Sequence, residues 1–191
     1  MKLKIANLYY LWLAFFCLIL PAKLKKGDRV LDVGCGIGNL VWALRKLGID
    51  AYGIEQSVAA KKFSVVPKYC RYEKNDNLPY ENISFDLVYT NEVLEHIEEK
   101  ELDQTLKEML RVSCTGKIIN IVGVEERGLM ITEEPSHVTI HVEDWWEKKF
   151  AGLKFKVSTG NFFYFFPHFL PGKTNLRGLK KGYFYLAHKS K

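Results

Sequence analysis

A glycine-rich run lies where a predicted strand gives way to a predicted helix, early in the chain. It reads Val30-Leu31-Asp32-Val33-Gly34-Cys35-Gly36-Ile37-Gly38-Asn39-Leu40. Glycines in such a turn let the backbone approach a ligand closely, and the helix start offers unpaired N–H groups. The spacing is G-x-G-x-G, and Asn39 stands where the dinucleotide fingerprint G-x-G-x-x-G needs its last glycine. The run predicts a small-molecule site and weakens a nicotinamide interpretation.

Glu55 is a second candidate for ligand binding, after the glycine-rich run. It lies 17 positions after Gly38, at the end of the next apolar run. A carboxylate at that place in a sheet can accept hydrogen bonds from both hydroxyls of a ribose. Hydrogen bonds to a charged group are worth about 1.5 to 3 kcal/mol each, so Glu55 would contribute much of the affinity. Together the turn and Glu55 predict an adenosine-containing ligand.

The elements that must position these residues follow from the hydrophobic pattern. Short apolar runs alternate with amphipathic stretches from Arg29 onward, which is typical of a parallel sheet covered by helices on both faces. Strands are predicted at 29–33, 49–54, 65–69, 85–90, 117–124, 154–158 and 183–187, and helices at 38–47, 57–63, 98–112 and 143–152. Pro67 weakens the third of these strands.

Three segments carry a family resemblance. The run VLDVGCGIGNL, followed by GIE and LPYENISFDLVYTNEVLEHI, resembles the class I S-adenosylmethionine-dependent methyltransferases, in particular the small-molecule branch called methyltransferase type 11 or 12. The resemblance covers about residues 28–155. It implies a Rossmann-like α/β fold, a seven-stranded mostly parallel sheet in order 3-2-1-4-5-7-6 with strand 7 antiparallel. It also implies a methyltransferase (EC 2.1.1 class) that uses S-adenosylmethionine and releases S-adenosylhomocysteine.

The same resemblance implies a set of cofactor contacts. Asp32 and the glycines would line the methionine portion, and Glu55 would bind the ribose. Adenine contact is assigned to Asp76 and Asn77, with Glu73 as the rival. The full set of cofactor-binding residues is Asp32, Gly34, Cys35, Gly36, Gly38, Glu55, Gln56, Asp76, Asn77 and Asn91.

The catalytic candidates follow the fourth and fifth predicted strands. A sulfonium methyl is already activated, so the enzyme chiefly has to align a nucleophile and exclude water. If a general base is used, His137 is the first candidate, because its loop is predicted to roof the substrate. Asn91 and Glu92 are expected beside the transferred methyl, and His141 is an alternative base. The competing interpretation is that these residues only cap a helix or fix a loop.

Metal and nucleic-acid ligands are both disfavoured. His137 and His141 are four residues apart, but no third ligand is evident, so no metal site is predicted. Asn91 is followed by Glu92-Val93-Leu94 rather than by the P-P-Y of the methyltransferases that act on base amino groups. No RNA-binding module is recognisable beside the basic C-terminal segment. A small-molecule acceptor is therefore expected as the partner.

Both ends of the chain combine basic residues with an apolar segment, a pattern that is compatible with contact to a membrane surface. Residues 1–29 have a net charge of +5, residues 30–172 of −5, and residues 173–191 contain six basic and no acidic residues. Residues 1–22 are predicted to form an apolar N-terminal helix, with membrane contact or a signal peptide as alternatives. The run Phe162 to Leu170 either packs on that helix or faces lipid.

The length of 191 residues predicts a single domain over 1–191. The four cysteines include no C-x-x-C pair, which favours a reducing compartment. The family resemblance implies a cytoplasmic location, because the methyl donor is made and used in the cytosol, with membrane association open. The function expected is methyl transfer from S-adenosylmethionine to an O or N centre of a small acceptor, a hydrophobic one included. The alternatives are a noncatalytic cofactor-binding regulatory module and a membrane-associated lipid methyltransferase. The oligomeric state is left open.

Overall fold

One mixed sheet forms the centre of the molecule. The computed structural model describes residues 8–74, 77–124, 136–160 and 180–188. Its strands are β1 (Arg29–Val33), β2 (Asp50–Ile54), β3 (Cys70–Arg71), β4 (Leu87–Asn91), β5 (Lys117–Val124), β6 (Phe155–Gly160) and β7 (Lys180–His188). They are ordered β3-β2-β1-β4-β5-β7-β6. Strands β1 to β5 run parallel, and β7 is antiparallel to both β5 and β6. The predicted α/β class with a mostly parallel sheet is confirmed.

Helices cover both faces of the sheet. They are α1 (8–22, with π-helical turns over Leu13–Ile19), α2 (Asn39–Lys46), α3 (Val58–Lys61), α4 (Glu99–Val112) and α5 (Glu143–Gly152). Successive strand residues point to opposite faces, so Val30 packs with α1 and α2 while Leu31 packs with α4 and α5. Asp32 shares the face of Val30. The ends of β1, β2 and β4 meet at one edge, which is where the glycine-rich run emerges.

Helix α1 has one packed side and one exposed side. Leu13, Ala14, Leu18 and Ala22 are buried and belong to the core cluster that includes α2. Leu8, Phe15, Phe16 and Leu20 are exposed. The helix ends at Lys23, which has a left-handed conformation with φ of 54°. Within the residues that the structure describes, no helix is both long and apolar enough to cross a membrane.

Several predicted element boundaries are wrong, most clearly for the third strand. Residues 65–69 do not form it, because Pro67–Tyr69 make a 3₁₀ turn and β3 begins at Cys70. Proline lacks the N–H that a sheet needs. The N–H of Val65 donates to Ile37 O at 2.9 Å, so this residue supports the glycine-rich run instead of the sheet. Strand β6 starts at Phe155 because the residue before it, Lys154, is left-handed, with φ of 64°.

The segment after β3 is fastened to α4 by one arginine. The Arg111 guanidinium donates to the carbonyl oxygens of Leu78 and Tyr80 and to both carboxylate oxygens of Glu108. Glu108 also accepts the N–H of Leu78 at 3.0 Å. Hydrogen bonds from Arg111 hold the pKa of the Glu108 carboxyl below its ordinary value. Leu78 and Tyr80, which follow the predicted adenine contacts in the chain, are thus held against α4.

Candidate functional site

The three glycines of the turn differ in the space around them: Gly34 and Gly38 are packed against neighbouring side chains, and Gly36 faces open space. Gly34 and Gly38 have φ of 77° and 86°, where a side chain is strained. A Cβ at Gly34 would collide with Val93 Cγ2, and a Cβ at Gly38 would lie 2.7 Å from Val66 Cγ2. A Cβ at Gly36 would meet no atom of the described residues within 4 Å. The turn is therefore packed tightly on either side of a backbone segment that faces open space.

Strand β2 holds this turn in place. Ile54 O accepts the N–H groups of Gly34 at 2.8 Å and of Cys35 at 3.1 Å. Within the turn, the N–H of Gly38 donates to Cys35 O at 2.9 Å, just before α2 begins. These bonds fix the backbone shape without using the side chains that would contact a ligand.

Glu55 connects the end of β2 to the open part of the turn. Its Oε2 accepts the N–H of Gly36 at 2.9 Å, and its Oε1 accepts the N–H of Ser57 at 2.8 Å. Each carboxylate oxygen has a second lone pair and can still accept a hydroxyl donor. The carboxylate thus both orients the turn and offers two acceptors beside it, as ribose binding requires.

Asp32 places a second carboxyl at the same edge. It is only 4% exposed. Burial, together with the negative charge of Glu55, raises its pKa to about 7. At neutral pH the group is therefore close to half protonated. A cationic ligand group would favour its charged form, and the amino and sulfonium groups of S-adenosylmethionine are such groups.

Residues after β4 form the facing side of the site. Asn91 Oδ1 is buried and has no hydrogen-bond partner among the described residues. Glu92 is exposed and left-handed, with φ of 54°, a strained conformation for a non-glycine residue. Val93 follows and packs on Gly34. The two predicted catalytic residues, Asn91 at the end of β4 and Glu92 after it, therefore directly precede the residue that contacts the glycine turn.

His137 is held against the turn that follows Glu92. The N–H groups of Val138 and Thr139 donate to Glu95 O at 2.9 and 3.0 Å. The His137 ring meets the His96 ring edge to face, with centroids 4.6 Å apart. His141, by contrast, stacks on Trp145 at 3.7 Å, with its Nε2 3.3 Å from a carboxylate oxygen of Glu99. Of the two histidines, His137 is the one packed on the segment after β4.

The remaining predicted residues divide into exposed ones and ones outside the described residues. Gln56 and Asn77 are exposed. Asp76 lies outside the described residues, as do residues 125–135, which precede the loop of His137, and residues 161–179, which include the run Phe162 to Leu170. Within the described residues no group of three or more metal-ligating side chains is found.

Sequence reasoning missed two residues that pack against the glycine turn. Val93 contacts Gly34, and Cys70 lies beside Gly38 and Gly53. The apolar type of Val93 carries no functional signal. Cys70 stands in the segment where the strand boundary was predicted wrongly, so its place beside the turn was not foreseen.

The fold and the residues at the ends of β1 and β2 define the class of protein. A parallel sheet with one antiparallel strand, a glycine turn after β1 and an acidic residue after β2 are the features of the class I S-adenosylmethionine-dependent methyltransferase fold. Residues 31–120 match the family model described as a methyltransferase domain. The resemblance seen in the sequence is therefore confirmed: residues 31–120 match a methyltransferase domain, and S-adenosylmethionine is the cofactor that this family implies.

Individual relatives agree with this assignment. Over 120 residues the chain is 33% identical to norajmaline N-methyltransferase of Rauvolfia serpentina, and 35% identical to the chloroplastic tocopherol O-methyltransferase of Arabidopsis thaliana. Each match covers 58% of this chain but only 40% and 34% of the relative. A solved S-adenosylmethionine-dependent methyltransferase from Archaeoglobus fulgidus has the same fold, with a TM-score of 0.72 at 16% identity, over 95% of this chain and 94% of its own.

Replacing Asp32 by asparagine should separate binding from stability. Because the pKa of Asp32 is raised to about 7 in the folded protein, the ligand-free state loses stability as pH rises from 3.8 toward 7. Asp32→Asn removes that loss, so its melting temperature at pH 8 should exceed that of the wild type. The wild type should bind S-adenosylhomocysteine up to about tenfold more weakly at pH 6 than at pH 8, whereas the variant should bind weakly at both.

Differential scanning fluorimetry and isothermal titration calorimetry give the two readouts for Asp32. Asp144→Asn, at an exposed position in the first turn of α5, serves as the matched control and should change neither. An affinity of the wild type that does not depend on pH would contradict this role of Asp32.

Replacing Glu55 by glutamine keeps the side-chain shape but removes the charge. The amide nitrogen cannot accept the N–H that one carboxylate oxygen now accepts, so both the turn and the ribose acceptors are weakened. Calorimetry should show affinity for S-adenosylhomocysteine reduced by about tenfold to several hundredfold. Glu101→Gln, an exposed change on α4, is the control. Equal affinities for the Glu55 variant and the wild type would show that the ligand does not use this carboxylate.

Proposed function

We propose that this protein transfers the methyl group of S-adenosylmethionine to an N or O atom of a small molecule. The observation that carries the proposal is the open backbone at Gly36, with Glu55 hydrogen-bonded to it and the buried Asp32 at the same sheet edge. This arrangement lies inside the segment that matches the methyltransferase domain. The fold alone would not carry the proposal, because function depends on the site.

The residues at this edge fit the cofactor. The space beside Gly36 admits a ligand against the backbone, Glu55 offers ribose acceptors, and Asp32 offers a carboxylate to a cationic group. Asn91 Oδ1 adds a buried acceptor with no hydrogen-bond partner among the described residues. The cofactor supplies an activated sulfonium methyl, so the residues of the protein chiefly have to align the nucleophile and exclude water. Gln56, Asp76 and Asn77 complete the binding set that we propose.

The residues after β4 would then orient the acceptor. In this proposal Asn91 accepts a hydrogen bond from the attacking group, and Glu92 shapes the entrance from its left-handed conformation. His137, packed on His96, removes the proton of the nucleophile when the acceptor is a hydroxyl or an ammonium group. The acceptor class is supported by the relatives, which are named as an N-methyltransferase and an O-methyltransferase. A noncatalytic cofactor-binding module is the alternative that activity measurements must exclude.

His137→Gln should lower kcat by about 10² to 10⁴ while the affinity for S-adenosylhomocysteine is kept. The assay uses methyl-labelled S-adenosylmethionine with fractionated cell extract, followed by purification of the labelled acceptor. His141→Gln is the matched control, because His141 stacks on Trp145 and contacts Glu99. A His137 variant with the kcat of the wild type would remove this residue from the reaction. Cofactor binding without transfer to any fraction would favour the noncatalytic module.

A second candidate, a methyltransferase that works at a membrane surface, is favoured by α1. The exposed side chains of Leu8, Phe15, Phe16 and Leu20 are apolar, and the exposed Lys23, Lys25 and Lys26 follow directly. Apolar residues beside a basic cluster suit an anionic lipid surface. We propose that α1 contacts such a surface from the cytoplasmic side, which would give the enzyme access to a hydrophobic acceptor.

Flotation with vesicles tests the α1 contact. The wild type should float with vesicles of phosphatidylcholine and phosphatidylserine and float less with phosphatidylcholine alone, because the lysines need anionic headgroups. The double variant Phe15→Ser, Phe16→Ser should stay at the bottom. Phe63→Ser, at an exposed position distant in sequence from α1, is the control and should float like the wild type. If the Phe15→Ser, Phe16→Ser variant floats as well as the Phe63→Ser variant, the exposed side of α1 does not contact the vesicles and the proposed contact is contradicted.

A further inference from the structure

Two cysteines meet beneath the glycine turn. Cys35 lies within the turn, and Cys70 begins β3, where it pairs in register with Gly53 of β2. A Cβ on Gly53 would lie 2.5 Å from Cys35 Sγ and 3.1 Å from Cys70 Sγ. The missing side chain of Gly53 thus leaves the space that both sulfur atoms use.

The two sulfur atoms influence each other. The Cys35 thiol donates to Gly36 O at 3.7 Å. Its interaction with the Cys70 sulfur raises the pKa of Cys35, which burial raises further, and the same interaction lowers the pKa of Cys70. Cys70 is therefore the sulfur that more readily becomes a thiolate, the reactive form of cysteine. The two residues are buried, at 9% and 8% exposed, so their oxidation needs an oxidant as small as hydrogen peroxide.

We propose that Cys35 and Cys70 form a dithiol modification site, which a peroxide converts to a disulfide that deforms the cofactor turn. This inference rests on the proposed function for its consequence, but the bond itself does not depend on it. None of the features used for cofactor binding requires a cysteine at position 70.

The reaction balances with hydrogen peroxide as the oxidant. The Cys70 thiolate attacks one peroxide oxygen; the S–O bond forms, the O–O bond breaks, and hydroxide leaves and is protonated to water. The Cys35 sulfur then attacks the Cys70 sulfenic acid. The S–S bond forms, the S–O bond breaks, and the Cys35 proton leaves with the hydroxyl as a second water. Two thiols have lost two electrons and two protons, and one peroxide has gained them.

The disulfide would change the turn because Cys35 is part of it. A disulfide needs its two Cβ atoms about 3.5 to 4.5 Å apart. Cys35 is anchored to β2 through its N–H on Ile54 O and lies between Gly34 and Gly36. A covalent link to β3 would therefore shift the Gly36 segment against Glu55, which accepts the Gly36 N–H. Bound cofactor should in turn slow the oxidation.

Peptide mapping tests the bond directly. The full chain is treated with hydrogen peroxide, free thiols are blocked, and the protein is digested with trypsin without reduction. Peptide 30–45 carries Cys35 and peptide 69–71 carries Cys70, so a Cys35–Cys70 bond joins two peptides that contain no other cysteine. We expect this joined peptide, its loss on treatment with dithiothreitol, and slower formation when S-adenosylhomocysteine is present.

Calorimetry tests the consequence. Oxidised wild type should bind S-adenosylhomocysteine about tenfold or more weakly than reduced wild type, and dithiothreitol should restore the affinity. Cys70→Ala should keep its affinity after peroxide, while the control Cys114→Ser, which removes an exposed thiol, should lose affinity like the wild type. If Cys70→Ala does not fold, the peptide map of the wild type still decides.

Two results would overturn the proposal. One is oxidation that gives separate sulfinic acids or a different pairing, and the other is a Cys35–Cys70 bond that leaves the affinity unchanged. Failure of the proposed function looks different, because the reduced protein would then bind no S-adenosylhomocysteine, whatever the peptide map shows.

Discussion

The site depends on one carboxylate accepting two backbone N–H groups. Glu55 is bonded to Gly36 on the turn and to Ser57 beyond β2, so its position and the shape of the turn determine each other. Charged acceptors of backbone N–H groups form strong hydrogen bonds, about twice as strong as neutral ones. Each carboxylate oxygen keeps a second lone pair that can accept a hydroxyl donor. In the function that we propose, the structure of the turn and the recognition of the ribose therefore rely on the same two oxygens.

Close packing around the turn explains why its glycines are needed for different reasons. Gly34 and Gly38 leave room for Val93 and for Val66, whereas no side chain of the described residues occupies the space beside Gly36. Packing at the outer positions brings β4 and the segment before β3 against β1. The open position between them is then a defined space rather than a loose loop. The raised pKa of the buried Asp32 fits the same picture, because an isolated carboxylate there is costly until a cation meets it.

Much of this could be predicted from the sequence, and the failures have physical causes. The alternation of apolar runs predicted the sheet. The glycine turn from Gly34 to Gly38 and Glu55 predicted which edge of the sheet carries the site. Both predictions succeeded because each depends on residues close together in the sequence. The position of the third strand was predicted wrongly because Pro67 begins a 3₁₀ turn and only two residues of the following strand pair with β2. The roles of Val93 and Cys70 arise from contacts between distant segments, which no local pattern contains. His137 was predicted from its place in the chain, and only the structure shows that it packs on His96.

The most direct measurement of the central claim is a crystal structure of the protein with S-adenosylhomocysteine. We expect both ribose hydroxyls within hydrogen-bond distance of the Glu55 carboxylate, and the amino-acid portion of the ligand along Gly36 toward Asp32. A structure with the nucleoside bound elsewhere, or with side chains filling the space beside Gly36, would contradict the account.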